Sequence, residues 1–264
     1  MSFLTLLTDF GIEDGYVGSM KGVIWQIAPD TQIADLTHHI PPQDVFTGSY
    51  LLARAGSYFP QGTVHVAVVD PGVGTPRRPM AARLGKYLFV GPDNGLVTFM
   101  AQMAESSGDT CQYIHLTNKT FWLDHISRVF HGRDIFAPVG AHLSRGVPLE
   151  ALGEPINDPI LLDVPQAQQH GESISGHVIQ IDHFGNMTTN IPEHMLLKKQ
   201  VKKVLFQHVD FGPLAQSFGE RPSGSWVAII DSFNYLSLCI VNGNAAATLN
   251  ARTGDKVEVI FEKE

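Results

Sequence analysis

Apolar positions in the first seventy residues switch between two periods. Phe3 to Thr8 is a short apolar run that stops at Asp9, which predicts a strand, and Phe10 to Gly15 predicts its loop. Val17, Met20, Val23, Ile24 and Ile27 then recur at helical spacing until Pro29 closes the pattern. Gln32 to Leu36 predicts a second strand, and Val45 to Phe59 a second helix after Pro41-Pro42. Thr63 to Val69 reads as a buried strand ending at Asp70. A β-α-β-α-β order is the signature of a mainly parallel sheet covered by helices. Ala81 to Arg83 and Tyr87 to Val90 predict a strand pair around Gly85. Leu96 to Ala104 predicts a helix, Gln112 to Leu116 a strand and Ile135 to Leu143 a further helix.

The pattern changes near residue 156. Prolines at 155, 159 and 165 and the polar run Gln166 to Gly171 predict a linker over 156–172. Beyond it the spacing is strand-like at Ser173 to Ile181, Lys203 to Phe206, Trp226 to Ile230, Tyr235 to Val241 and Lys256 to Phe261. Ile181 to Ile191 interrupts this with six polar residues and reads as a connection. Asp231 to Tyr235 reads as a turn and Asn242 to Ala247 as a glycine loop. The expected fold is a mainly parallel α/β domain over 1–160 followed by a smaller, mostly β domain over 172–264.

Composition narrows the function. The chain has 264 residues, 44% hydrophobic and 17% charged, which suits globular domains with buried cores. Net charge is −8, and no basic run exceeds Lys198-Lys199 or Lys202-Lys203, so a nucleic-acid partner is not expected. Two cysteines, Cys111 and Cys239, show no metal-ligand spacing and suit a reducing compartment. The start meets an acid too early for a signal peptide, and no run approaches the roughly 20 apolar residues of a membrane span. A soluble, cytoplasmic protein is expected, with no membrane partner.

Two predicted strands end in aspartate, Asp9 and Asp70, and both lead into glycine-bearing loops. In a parallel sheet both carboxylates lie along one edge, where open α/β sheets place their ligands. A carboxylate there can accept two hydrogen bonds from a vicinal diol. Seven residues after Asp70 comes Arg77, and Phe130-His131-Gly132-Arg133-Asp134 puts a histidine just before a predicted helix. His38, His39 and His125 have no carboxylate or cysteine at ligand spacing, so no metal site is expected. Asp-Phe-Gly at Asp9 and the His131 stretch together look faintly kinase-like. Their order is reversed, and neither the glycine-rich loop nor the strand lysine precedes them. In the second half, the polar stretches at 181–191, 231–235 and 242–247 suit a neutral or zwitterionic ligand better than a phosphate.

These pieces together resemble one family over nearly the whole chain. Thr8-Asp9-Phe10-Gly11 with Asp14, Val69 to Thr75 with Arg77, Gly91-Pro92-Asp93-Asn94-Gly95, Phe130 to Asp134, Ile181 to Asn186 and Asn244-Ala245-Ala246 are similar, in order and spacing, to motifs of the S-adenosyl-L-methionine hydroxide adenosyltransferases, or SAM hydrolases. These are relatives of the fluorinase and chlorinase. The resemblance implies an α/β N-terminal domain, a β-barrel-like C-terminal domain and a homotrimer with active sites between subunits. It also implies attack of water or hydroxide on the ribose C5′, giving adenosine and methionine, with no cofactor beyond the substrate.

By the same resemblance, Asp70, Arg77 and His131 form the catalytic set and Asp9 holds the ribose hydroxyls. Asp14, Asp182 and Ser232 hold the methionine end, Asn186 and the Asn244-Ala245 backbone bind adenine, and Phe184 and Phe218 form apolar walls. The halide-using branch replaces the acid at position 70 and carries an extra loop before the Gly91 turn, so hydrolysis is expected here. Two positions depart from the pattern: Phe233 stands where halogenating relatives have an arginine, and Gln43 where an apolar wall is expected. The competing expectation is a protein that binds S-adenosylmethionine or adenosine without turnover.

Overall fold

The computed structural model describes residues 2–197 and 199–262, so Lys198 of the Lys198-Lys199 pair lies outside the described residues. The chain divides into two compact units, residues 1–162 and 163–264.

The first unit holds strands β1 (Phe3–Thr8), β2 (Gln32–Thr37), β3 (Val64–Val68), β4 (Pro79–Leu84), β5 (Tyr87–Pro92), β6 (Cys111–His115) and β7 (Glu154–Ile156). Its helices are α1 (Tyr16–Ile27), α2 (Val45–Gly56), α3 (Thr98–Ser106) and α4 (Ala137–Ser144). The sheet order is β2-β1-β3-β5-β4-β6-β7. β2, β1, β3 and β5 run parallel, as the sequence order predicts, and the rest of the sheet is antiparallel. The two-residue turn at Gly85-Lys86 is too short for a crossover, and it forces β4 back against β5.

Alternation along β3 builds both layers. Val64, Val66 and Val68 pack with Met20 and Ile24 of α1 and Val139 of α4. Ala67 and Val69 face the other way, with Leu52 of α2 and Met100 of α3. The sheet is therefore covered on both faces, and ligand access is left to its edges.

His65 points into the second layer and is fully buried. It shares a 2.7 Å hydrogen bond with Thr5 Oγ1, while its Nε2 has no partner. Burial pushes it down from 6.5 to about 4. The unfolded chain therefore binds the proton first, and stability present above pH 6.5 is lost as pH falls toward 4. That gap corresponds to on the order of 3 kcal/mol. A His65→Gln variant should show a flatter dependence of thermal midpoint on pH across this window, and an unchanged slope would contradict the assignment.

The second unit holds β8 (Gln168–His170), β9 (Ser173–Ile181), β10 (Met187–Pro192), β11 (Val201–Phe206), β12 (Val209–Asp210), β13 (Leu214–Ala215), β14 (Trp226–Ile230), β15 (Tyr235–Ile240), β16 (Lys256–Phe261) and the short helix α5 (Ala245–Leu249). The sheet order is β12-β11-β16-β9-β10-β15-β14-β13, with β8 on β9. Its end strands, β12 and β13, are separated in sequence only by residues 211–213, so the sheet must curl toward itself. The result is the barrel-like form that the resemblance implied.

Three segments differ from the sequence reading. The linker expected over 156–172 contributes β8, and β7 ends at its first residue. The polar interruption at 181–191 includes all of β10 but its last residue, a central strand whose Thr188, Thr189 and Asn190 are buried. The glycine loop at 242–247 runs into α5, which Asn244 caps by accepting the Ala247 N–H at 2.7 Å.

Candidate active site

β1 and β3 pair in parallel with Thr8 opposite Val68, so Asp9 and Asp70 leave the sheet at the same edge. β5 lies between β3 and β4 and also ends at this edge, so the chain from Asp70 must cross over it to start β4. Asn94, just past β5, donates to the Val69 carbonyl at 2.8 Å and ties the crossing loop down. Gly74 adopts φ +75°, and a Cβ there would stand 2.4 Å from the Arg128 carbonyl. Only glycine lets this loop close on the segment that carries His131.

Three predicted residues meet at that closure. Arg77 Nε donates to Asp70 Oδ1 at 2.9 Å, and Arg77 Nη2 donates to Asp70 Oδ2 and, at 2.8 Å, to His131 Nδ1. The Asp70 and Arg77 side chains are 4% and 9% exposed. Arginine has no acceptor, so His131 Nδ1 must be unprotonated and its proton sits on Nε2. Burial first, and then the Arg77 charge, hold His131 below the usual histidine range. The imidazole is thus neutral, with Nε2–H as its remaining donor.

The neighbouring arginine faces the other way. Arg78 donates to Asp93 Oδ2 at 2.8 Å and to Asp158 Oδ1 at 2.7 Å, and Asp93 Oδ1 accepts the Ile160 N–H at 2.8 Å. Asp93 is 1% exposed. This clamp holds residues 158–160 against the β4–β5 edge.

Asp9 sits on the same edge, where its Oδ2 accepts the Gln43 N–H at 2.8 Å. Gln43 adopts φ +67°, so the position expected to form an apolar wall presents its backbone to Asp9. Asp14 is exposed in the loop before α1. Beside it, the rings of Phe10, Tyr16 and Phe130 stack edge-to-face at 5.1–5.9 Å.

In the second unit, Phe184, Asn186 and Phe218 line a cleft of about 520 Å³ together with Ile240, Asn242 and Gly243. Phe184 is 71% exposed and Phe218 41% exposed. Asp182 organises the loop behind them: Oδ1 accepts the Phe184 and Asn186 N–H groups, and Oδ2 accepts Asn186 Nδ2, each at 2.9 Å. Gly185, at φ +84°, lies directly against the Asn244 side chain, where a Cβ would stand 2.0 Å from Oδ1. Asn244 and Ala245 are thereby joined to the Asp182 loop, and the Ala246 N–H bonds the Gly185 carbonyl at 3.0 Å. Ser232 is exposed on the turn before β15, with all of β15 separating it from Asn242.

Sequence reasoning named Asp134 only as the end of the Phe130–Asp134 motif, with no role, and passed over Phe136. Asp134 is fully buried, with Oδ2 accepting the Ser127 N–H at 2.7 Å and Oδ1 accepting Arg133 Nε at 2.6 Å. Phe136, also buried, lies under Arg77 with its ring centroid 5.2 Å from Cζ. A carboxylate next to the first residue of an apolar helix pattern was a readable signal for the first, and nothing in the sequence marks the second. Among the described residues, no group of three or more His, Cys, Asp or Glu is placed to hold a metal ion.

The chain is 36% identical over 259 residues to the (R)-S-adenosyl-L-methionine hydrolase of Salinispora tropica, covering 97% of each chain. To the fluorinase of Nocardia brasiliensis it is 27% identical over 291 residues, covering 97% of this chain and 96% of the relative. Its structure resembles the crystal structure of a conserved protein from Thermotoga maritima with a TM-score of 0.90. That protein is 35% identical, and the match covers 97% of this chain and 99% of the other. The model of the SAM hydroxide adenosyltransferase N-terminal domain matches residues 4–153, and that of the C-terminal domain matches residues 176–258. Both halves match in order and over most of the sequence, and the chain belongs to the SAM hydroxide adenosyltransferase family.

Proposed function

We propose that the protein hydrolyses S-adenosyl-L-methionine to adenosine and L-methionine, by attack of water on the ribose C5′. The observation that carries this reading is the contact of Asp70, Arg77 and His131 at the sheet edge. A protein that only bound the nucleoside would have no use for a carboxylate clamped to a guanidinium beside a neutral imidazole. Full-length similarity to relatives named as hydrolases supports it, since the fluorinase relative is more distant.

The sulfonium departs as neutral methionine, so no acid has to protonate it. The enzyme has to present one oriented, partly desolvated water in line with the C5′–S bond. Asp70 Oδ1 accepts one hydrogen bond from Arg77 and keeps acceptor capacity for that water. His131 Nε2–H serves as a donor to the water oxygen, because its other nitrogen is occupied by Arg77. Asp70 is then the group that takes the proton as the C5′–O bond forms.

Asp9 holds the ribose diol, and the Phe184–Phe218 cleft with Asn186 and the Asn244-Ala245 backbone takes the adenine. Asp14 and Ser232 serve the methionine end, and Asp182 acts there through the loop it shapes. The active assembly is a homotrimer with sites between subunits. The compartment is the reducing cytoplasm, and both cysteines are free thiols. Among the described residues no helix is long and apolar enough to cross a membrane.

Chromatography of the wild-type reaction tests the proposal: adenosine and methionine should appear in equal amounts from S-adenosyl-L-methionine alone. Binding without either product would overturn it. Light scattering should give three times the chain mass, and a fully active monomer would sink the assembly.

A further inference from the structure

A π-turn over Gly132–Phe136 precedes α4 and takes in Ile135 and Phe136, the first two residues of the helix expected over Ile135 to Leu143. Residues on either side of it touch the same guanidinium. His131, just before the turn, accepts from Arg77 Nη2, and Phe136, its last residue, lies under Arg77 Cζ. Positions five apart in an α-helix point about 140° apart, so a regular turn would send one of the two away. Here the Ala137 N–H bonds the Gly132 carbonyl, five residues back. The widened turn brings His131 and Phe136 to the same side.

The contact has a mechanical consequence. The bonds to Asp70 hold the guanidinium within its own plane but leave it free to tilt. Asp70 makes no other side-chain hydrogen bond among the described residues, so its carboxylate follows any tilt. An aromatic face below the plane opposes that motion, and Phe136 is wholly buried, so the face is dry.

We propose that Phe136 is a positioning residue for the hydrolysis: its ring holds the Arg77 guanidinium, and through it the Asp70 carboxylate, at the angle turnover requires. The kinetic half of this rests on the hydrolase reading above, and the structural half does not. The test introduces phenylalanine carrying one, two or three ring fluorines at position 136. Fluorination weakens the negative face of the ring with little change in its volume, so folding is preserved.

Across the series kcat should fall stepwise, by about fivefold in total, with KM unchanged and the thermal midpoint lowered by no more than about 4 °C. Hydrogen exchange at Arg77 Nε–H, followed by nitrogen-15 NMR, should quicken in the same order. A series flat in both kcat and exchange overturns the proposal, because filling space alone would give that result. If the wild-type protein makes no adenosine, the hydrolase reading fails. The exchange series still decides whether Phe136 holds Arg77.

Discussion

Asp70→Asn is expected to lower kcat by about 10²–10⁴-fold while S-adenosyl-L-methionine still binds. The amide keeps the shape of the carboxylate and leaves the loop from Asp70 to Arg77 closed. What it removes is the proton acceptor and the negative charge opposite Arg77. The nucleoside is held by other groups in this scheme, so calorimetry should return an affinity near that of the wild type. Single-turnover product analysis supplies the rate. A variant that hydrolyses at the wild-type rate removes Asp70 from the mechanism, and one that loses affinity in proportion makes it a binding residue instead.

Arg77→Met should have the largest effect on stability. It leaves the Asp70 carboxylate, 4% exposed, without the only side-chain partner it has among the described residues. Breaking one side of a buried ion pair typically costs about 3–5 kcal/mol, because the remaining charge stays desolvated. In a chain of this size that lowers the thermal midpoint by roughly 10 °C. The informative comparison is the double variant Asp70→Asn with Arg77→Met, which carries neither charge. It should recover most of the lost stability and none of the activity. A double variant as unstable as Arg77→Met would mean that the arginine stabilises through packing, with the ion pair contributing little.

The first half of the fold was readable because its strands and helices carry clean periods. β3 is valine on one face, with only His65 and Ala67 on the other, and α1 repeats apolar residues every third or fourth position. β10 escaped for a physical reason. Between buried Met187 and Ile191 its three middle residues are polar and are satisfied internally: Thr189 donates to the Leu236 carbonyl at 2.9 Å, and Asn190 bonds both the His177 N–H and the Pro165 carbonyl. Hydropathy reads such a strand as a loop.

The same limit applies to the π-turn, since one extra residue in a helical turn leaves almost no trace in a period of three or four. Of the candidate site, the strand-end positions of Asp9 and Asp70 could be read from the apolar runs before them, whereas grouping Asp70 with Arg77 and His131 came from the family resemblance, since those two lie 7 and 61 residues further along the chain. The inward turn of Asp182 onto its own loop was not, because a carboxylate beside a glycine turn reads the same whether it faces a ligand or its own backbone.

Arg77 and Arg78 are adjacent and face opposite ways, one toward Asp70 and His131 and the other toward Asp93 and Asp158. This is the alternation of an extended chain just before β4. The arrangement sets a counting rule for descendants of this gene. Inserting a single codon between Arg78 and Pro79 would exchange the two partners, aiming the reactive cluster's cation at the clamp and the clamp's at the cluster. A residue gained or lost earlier in the loop leaves that facing alone, but the step from Arg78 into β4 cannot drift by one.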